Sequence, residues 1–283
     1  MCVDSNSPSS AVIHVIPHAY CDAVSGVTSL GDDVFVLRFY SGQKIEVYDT
    51  KAFILQRHIK VPGLSDCPSG LAACPHNNCL YASDPKNHSV HNVILSCRHL
   101  VLRWSVARWP VGLSVNSEHN LLVVSQIERK LQIFTTLGTL LQNIQLQADF
   151  DCPCHAVQLP TGQFLVSHSG SLHRVCLVGA DGAVVRSYGG QKGSQLTQMN
   201  EPAGLAVDRE GRVLVADYYN DRLLVIDQSL SSAHGMSVRV DGGLEGPYSL
   251  WYDQSRGRLY IGESGGGRVI IIDNLKDFAS RRI

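Results

Sequence analysis

Residues Asn200 to Asp227 read NEPAGLAVDREGRVLVADYYNDRLLVID, and here Pro202-Ala203-Gly204-Leu205 leads into three short apolar runs separated by turn residues. The runs are rich in Val, Leu and Ile, are punctuated by Gly, Asn and Asp, and lack the three-to-four spacing of an amphipathic helix. They read as strands. Strand a is placed at 204–208, a turn at Arg209, Glu210 and Gly211, strand b at 212–216, strand c at 222–227 and strand d near 236–240.

The same pattern recurs outward from this unit. Its anchor position falls at Gly26, Gly70, Gly112, His155, Gly204 and Ser249, which by subtraction gives spacings of 44, 42, 43, 49 and 45 residues. Five anchors have proline two residues earlier, at Pro68, Pro110, Pro153, Pro202 and Pro247. A period of about 40–50 residues carrying several strands marks a propeller blade. In blade one the runs are Gly26–Leu30, Val34–Arg38, Ile45–Asp49 and Ile54–Lys60. Small residues at the anchor suit a strand a that lines the crowded centre, with Leu205 and Val207 turned into the packing between blades.

Blade six supplies only three strands, around Ser249, Leu259–Glu263 and Arg268–Asp273, before the chain ends. The run Ala11-Val12-Ile13-His14-Val15-Ile16 stands ahead of blade one without a hairpin partner. It is expected to pair as the outer strand of blade six and close the ring, which removes exposed sheet edges. The expected organisation is therefore all-β: a short tail over 1–10, then one six-bladed β-propeller of four-stranded blades over 11–283.

Composition agrees with a globular chain. Of 283 residues 44% are apolar, and 24 basic against 25 acidic residues give a net charge of −1, so nothing draws the whole molecule to nucleic acid and double-stranded DNA is not an expected partner. The first residues, MCVDSNSPSS, lack the basic and apolar regions of a secretory signal, and no run approaches the roughly 20 apolar residues that span a bilayer. Nine cysteines, an odd number spread through strands and hairpins, predict reduced thiols. The expectation is a cytoplasmic protein with no membrane partner.

The stretch Asn200 to Asp227, with Tyr188-Gly189-Gly190 and a Gly/Gln-containing loop ahead of it, closely resembles the NHL repeat. Blade five is the specific match, and the other blades are worn versions. No Gly-His or Trp-Asp dipeptide stands at a blade position, as WD40 repeats require, and Gly-Gly doublets, as at Gly189 and Gly242, are missing from several blades and so are too few for kelch repeats. NHL propellers occur at the C-terminus of tripartite-motif ubiquitin ligases, so the resemblance implies RNA or protein binding on one face. Cysteine and histidine spacings here form no paired Cys-x-x-Cys units, so no ligase zinc module is expected in this chain.

Aligning the blades locates the candidate face. After strand b stand Arg38, Asp84, Ser125, His168, Asp217 and Glu263, and before strand c stand Lys44, Ser89, Lys130, Arg174, Arg222 and Arg268. Asp217 with Arg222, and Glu263 with Arg268, are expected to pair within their blades. Arg38 with Lys44, and His168 with Arg174, show no acid at the matched position, which leaves positive charge for a ligand. Aromatic residues sit beside them, Phe39 and Tyr40 in blade one and Tyr218 and Tyr219 in blade five. A mixed-charge face with aromatics fits a protein partner, and basic residues interleaved with aromatics fit single-stranded RNA as the alternative. Acidic residues in the same loops, Asp84, Glu128, Asp217, Asp221 and Glu263, oppose a phosphate backbone.

A third reading is a metal-dependent lyase or hydrolase in the central channel. The amidating lyases resembling this fold place metal-binding histidines one residue after the anchor proline, where this chain has Ser25, Ser69, Val111, Cys154, Ala203 and Tyr248. One thiol does not make the three ligands of a catalytic zinc, and the carboxylates of a calcium site are absent from that ring. A Cys152-Cys154-His155 cluster is conceivable as a ligand set. Cys74 and Cys79 read as buried hairpin residues. No phosphate-binding Gly-x-x-x-x-Gly-Lys loop occurs. The sequence therefore predicts a binding platform that requires no cofactor.

Overall fold

The structure is a computed structural model that describes residues 13–17, 22–40, 42–96, 100–236 and 240–273. Short strands with apolar alternation find partners in order along the chain, and the result is six four-stranded antiparallel sheets. Blade one comprises Val24–Leu30, Asp33–Arg38, Lys44–Asp49 and Leu55–Lys60, and blade five Pro202–Val207, Val213–Asp217, Arg222–Ile226 and Ala233–Met236. Strands a of successive blades touch in sequence, and strand a of blade six meets that of blade one, so the ring is closed. Among the described residues, no helix is long and apolar enough to cross a membrane, and the cysteines at 67, 74, 79, 152, 154 and 176 are free thiols.

Closure runs through the N-terminal strand. Ile13–Ile16 pairs antiparallel with Val269–Ile272, in the register Ile13 opposite Ile272 to Ile16 opposite Val269. Blade six thus reads outward as Pro247–Asp253, Arg258–Glu263, Val269–Ile272 and Ile13–Ile16. Residues 11 and 12 of the predicted strand lie outside the described residues.

The core is divided six ways, one apolar cluster at each junction between blades. Leu165, Val175, Leu205 and Val215 pack between blades four and five, and Val24, Val36, Tyr260 and Ile271 between blades six and one. Leu205 therefore lies in the inter-blade packing, as the sequence predicts, and Val207 packs against the same cluster from its edge.

At the anchor the strands a converge. Five of the six ladders between strands a and b carry a register shift there, as between Pro153 and His155 or Pro202 and Leu205. A Cβ on Gly70 would lie 2.3 Å from the carbonyl oxygen of Val111, and one on Gly112 would lie 2.4 Å from that of Cys154. Glycine is required at these two positions by the approach of neighbouring backbones rather than by φ.

One boundary moves. Strand d of blade five begins at Ala233 rather than near 236, and 237–239 lie outside the described residues. The cause is a tight c-to-d turn. The Asp227 carboxylate accepts the backbone N–H groups of Ser231 and Ser232 and the hydroxyls of Ser229 and Ser231, which returns the chain within five residues.

Candidate functional site

The b-to-c loops and the d-to-a loops share one face, and a repeated clasp builds it. The residue before the anchor proline is left-handed at Trp109 (φ 61°), Glu201 (φ 58°) and Gly246 (φ 59°). Each donates its N–H to a side chain just ahead of strand c in the preceding blade: Trp109 to His88 Nδ1 at 3.3 Å, Glu201 to His173 Nδ1 at 2.9 Å and Gly246 to Asp221 Oδ1 at 2.7 Å. The loops are held blade to blade, which gives the face a fixed shape. Burial, with Lys192 nearby, lowers the His173 pKa and keeps Nδ1 available as an acceptor.

The matched basic residues do not stand free on this face. Arg222 Nε donates to Asp217 at 2.7 Å, and its terminal nitrogens donate to the carbonyls of Ser194, Gln195 and Gln198. Arg268 Nε donates to Glu263 at 2.6 Å, and its other nitrogens reach the carbonyls of Asp241 and Gly243. Both pairings match the sequence prediction. In each, the buried carboxylate also accepts a backbone N–H from the incoming loop, from Asn200 and from Glu245 respectively. Lys130 pairs with Glu128 at 2.7 Å.

Arg38, expected to be available for a ligand, is 1% exposed. Its Nε donates to Glu46 at 2.8 Å, and Nη1 donates to the carbonyls of Asp22 and Gly267. The acid comes from strand c rather than from the position after strand b, so comparison of matched loop positions misses it. Arg174, also expected to lack an acid, pairs with Asp149 from the preceding d-to-a loop and lies 5.6 Å from the centre of the Phe150 ring. His168 is fully buried and accepts from Arg174 Nε at 2.6 Å, and burial, then the nearby Arg174 charge, lowers its pKa to about 4. Lys44 is half-exposed and has no acid within ion-pair distance among the described residues.

The aromatic residues divide. Tyr40 is 73% exposed and Tyr219 57%, whereas Phe39 and Tyr218 are half-buried beneath them. Tyr218 meets Tyr219 edge-on at 4.6 Å between ring centres and Tyr248 at 6.0 Å. Glu201 is half-buried, has no ion-pair partner among the described residues, and its charge acts on Tyr248, Cys152 and Cys154. The structure adds three exposed apolar side chains on this face that the aligned positions did not select: Trp109, Ile127 and Leu196. The signal for Trp109 was its place directly before an anchor proline.

The channel narrows at the ring of Ser25, Ser69, Val111, Cys154, Ala203 and Tyr248, all of which line it. Tyr248 of blade six reaches across to the Ser69 hydroxyl of blade two, and burial raises its pKa to about 12. His155 bridges its neighbours: Nδ1 accepts the Leu205 N–H at 3.4 Å and Nε2 donates to the Leu113 carbonyl at 3.1 Å. Both ring nitrogens are occupied, and burial lowers the His155 pKa to about 4. The Cys154 thiol, pushed up to about 12 by burial, donates to the Cys152 carbonyl at 3.3 Å. Cys152, Cys154 and His155 therefore do not converge as ligands. Among the described residues, no group of three or more His, Cys, Asp or Glu side chains is placed to hold a metal ion. Cys74 and Cys79 are buried directly opposite one another across their hairpin, as expected.

Residues 199–226, which hold the first three strands of blade five, match the NHL repeat family. No curated protein matches the chain in sequence. Among solved structures, virginiamycin B lyase from Staphylococcus aureus is similar at 7% identity and a TM-score of 0.66, over 93% of this chain and 99% of that one. Hydrazine synthase from Kuenenia stuttgartiensis is similar at 17% identity and a TM-score of 0.64, over 94% and 82%. A protein of unknown function from Bacteroides thetaiotaomicron is similar at 15% identity and a TM-score of 0.71, over 89% and 69%. At these identities the likeness concerns the fold.

Proposed function

We propose that this six-bladed propeller, with an NHL repeat as its fifth blade, is a non-catalytic platform that engages a protein partner through its b-to-c face. The observation that carries the reading is a contrast on that face. Tyr40, Trp109, Ile127, Leu196 and Tyr219 stand exposed, while Lys130, Arg174, Arg222 and Arg268 are each neutralised by an acid. Exposed aromatic and aliphatic anchors on a rigid frame suit protein recognition. Single-stranded RNA needs free cations to neutralise its phosphates, and this face offers few. Glu201 beside Tyr218 and Tyr248 suits a basic side chain on the partner. The channel ring, with one raised thiol and a tyrosine laid across it, supports binding over channel chemistry.

The test is photo-crosslinking in cells with p-benzoyl-phenylalanine in place of Tyr219 or Trp109, and in place of Gln254 on the opposite face as control. Adducts at the first two positions that protease removes and ribonuclease does not are the expected result. Ribonuclease-sensitive adducts at Tyr219, or protein adducts at Gln254 alone, would overturn the reading.

A further inference from the structure

At the other end of the channel, the last residues of strands a and the a-to-b turns of blades four, five and six line an open-mouthed cavity of about 520 Å³. Its walls include Leu113, Val157, Leu205, Val207, Leu250 and Trp251, and His155 lies at its inner end. The volume falls within the roughly 300–1,000 Å³ of small-molecule sites, which are mostly apolar with a few placed polar groups.

The charges at the rim are held by the protein itself. Arg209 donates to the carbonyls of Gln254 and Ser255, each at 2.7 Å. Asp208 accepts from Arg212 Nε at 2.6 Å and from the backbone of its own turn, and Glu210 pairs with Arg212 at 2.7 Å. His155 is neutral, with both nitrogens bonded to backbone. A charged guest would lose its hydration against these apolar walls, and the Arg209 guanidinium at the rim is already turned to the Gln254 and Ser255 carbonyls, so a neutral apolar guest loses least on entry. Uncharged polar side chains in the lining, Ser114, Gln158, Gln228, Gln254 and Tyr252, remain for orientation. The Tyr252 hydroxyl, whose pKa burial raises, keeps a proton to donate to a guest.

We propose that this cavity binds a free, neutral, mainly apolar small molecule carrying a hydrogen-bond acceptor, as a second binding site on the face opposite the b-to-c loops. The site is built by the same strands a that fix the upper face, yet it shares no exposed residue with it. An occupant would bridge several blades at once, because the walls come from blades two to six.

The experiment titrates the uncharged dye N-phenyl-1-naphthylamine into the purified full chain and follows its fluorescence. The expected result is saturable binding at one dye per chain. The anionic 1-anilinonaphthalene-8-sulfonate, with the same rings plus a sulfonate, should bind at least about tenfold more weakly. Val157→Phe and Val207→Phe fill the cavity from half-exposed positions at the edge of the inter-blade packing and should abolish dye binding in protein that still melts cooperatively, whereas Tyr219→Ala should leave it unchanged. Leu159→Trp, in the turn at the rim, replaces either variant that melts early. No saturable binding, equal affinity for the two dyes, or dye binding that survives in the folded filled variants would overturn the proposal. Because Tyr219 crosslinking reports the upper face and the dye reports this cavity, either reading can fail while the other stands.

Discussion

Arg38 heads the largest side chains withdrawn from solvent, and it ties strand b of blade one to strand c through Glu46 and to blade six through the Gly267 carbonyl. Removing one member of a buried ion pair leaves the other charge uncompensated, so Arg38→Leu should lower stability by about 3–5 kcal/mol. Urea melts of the two proteins read this directly. The sequence exposed Asp217 with Arg222 and Glu263 with Arg268 because acid and base stand at matched loop positions. It hid Arg38 because blade one reverses the order, with the base at the end of strand b and the acid two residues into strand c. Arg174 was hidden for another reason: Asp149 reaches it from a loop that joins two blades. A second prediction belongs to the buried histidines. His155 and His168 have pKa values lowered to about 4, by burial in the first and by burial and then Arg174 in the second. The folded state therefore resists protons that the unfolded chain takes up below its ordinary value of about 6.5. Stability from this source is intact above that value and is lost as pH falls towards 4, by about 2 kcal/mol per histidine at pH 5. Urea midpoints from pH 7 to pH 5 should fall, and His155→Gln should flatten the slope; a midpoint independent of pH would refute the account.

At the scale of elements, the strand Ile13–Ile16 completes blade six, and its order, closure and partner were all legible because one blade lacked a strand and one run lacked a partner. Removing residues 1–16 uncovers Ile271 and Val269 and leaves Val269–Ile272 as an open edge, the arrangement that invites pairing between chains. The truncated protein should show a lower Tm and concentration-dependent association by light scattering, and a monomer of unchanged Tm would contradict the role given to this strand. Strand d of blade five was placed about three residues late because hydrophobic periodicity does not register the Asp227 carboxylate drawing the c-to-d turn tight. The anchor glycines were legible as small residues, but their measured approach supplies the cost of change. Gly112→Ala puts a methyl group against the Cys154 carbonyl, where backbone must move, and should cost about 1–3 kcal/mol.

Across the whole molecule, the repeat made the architecture legible, whereas the character of the upper face depended on contacts between blades that no single blade encodes. Five blades place a basic residue before strand c, which by count suggests a phosphate-binding ring. The folded ring withdraws Lys130, Arg174, Arg222 and Arg268 into ion pairs, and loop carbonyls hold Arg222 and Arg268 as well. Lys44, Arg108 and Lys192, from separate loops of this face, show neither an acid within ion-pair distance nor a side-chain bond to a loop carbonyl among the described residues, whereas Arg129 is held by the Ala148 carbonyl. Release of counterions from single strands gives a slope of log affinity against log salt of about −0.7 per phosphate contact, so three contacts give about −2. Engagement of the four paired cations as well would bring the slope to about −5. A random single-stranded RNA pool titrated at several salt concentrations should therefore bind weakly, with a slope no steeper than about −2. A slope near the larger value would mean that the ion pairs open for phosphate, and the face would then have to be assigned to RNA. The exposed Tyr40, Trp109 and Tyr219 act in either case, but only the salt dependence separates rings that anchor a protein from rings that stack on bases, because phosphate contacts alone carry the counterion term.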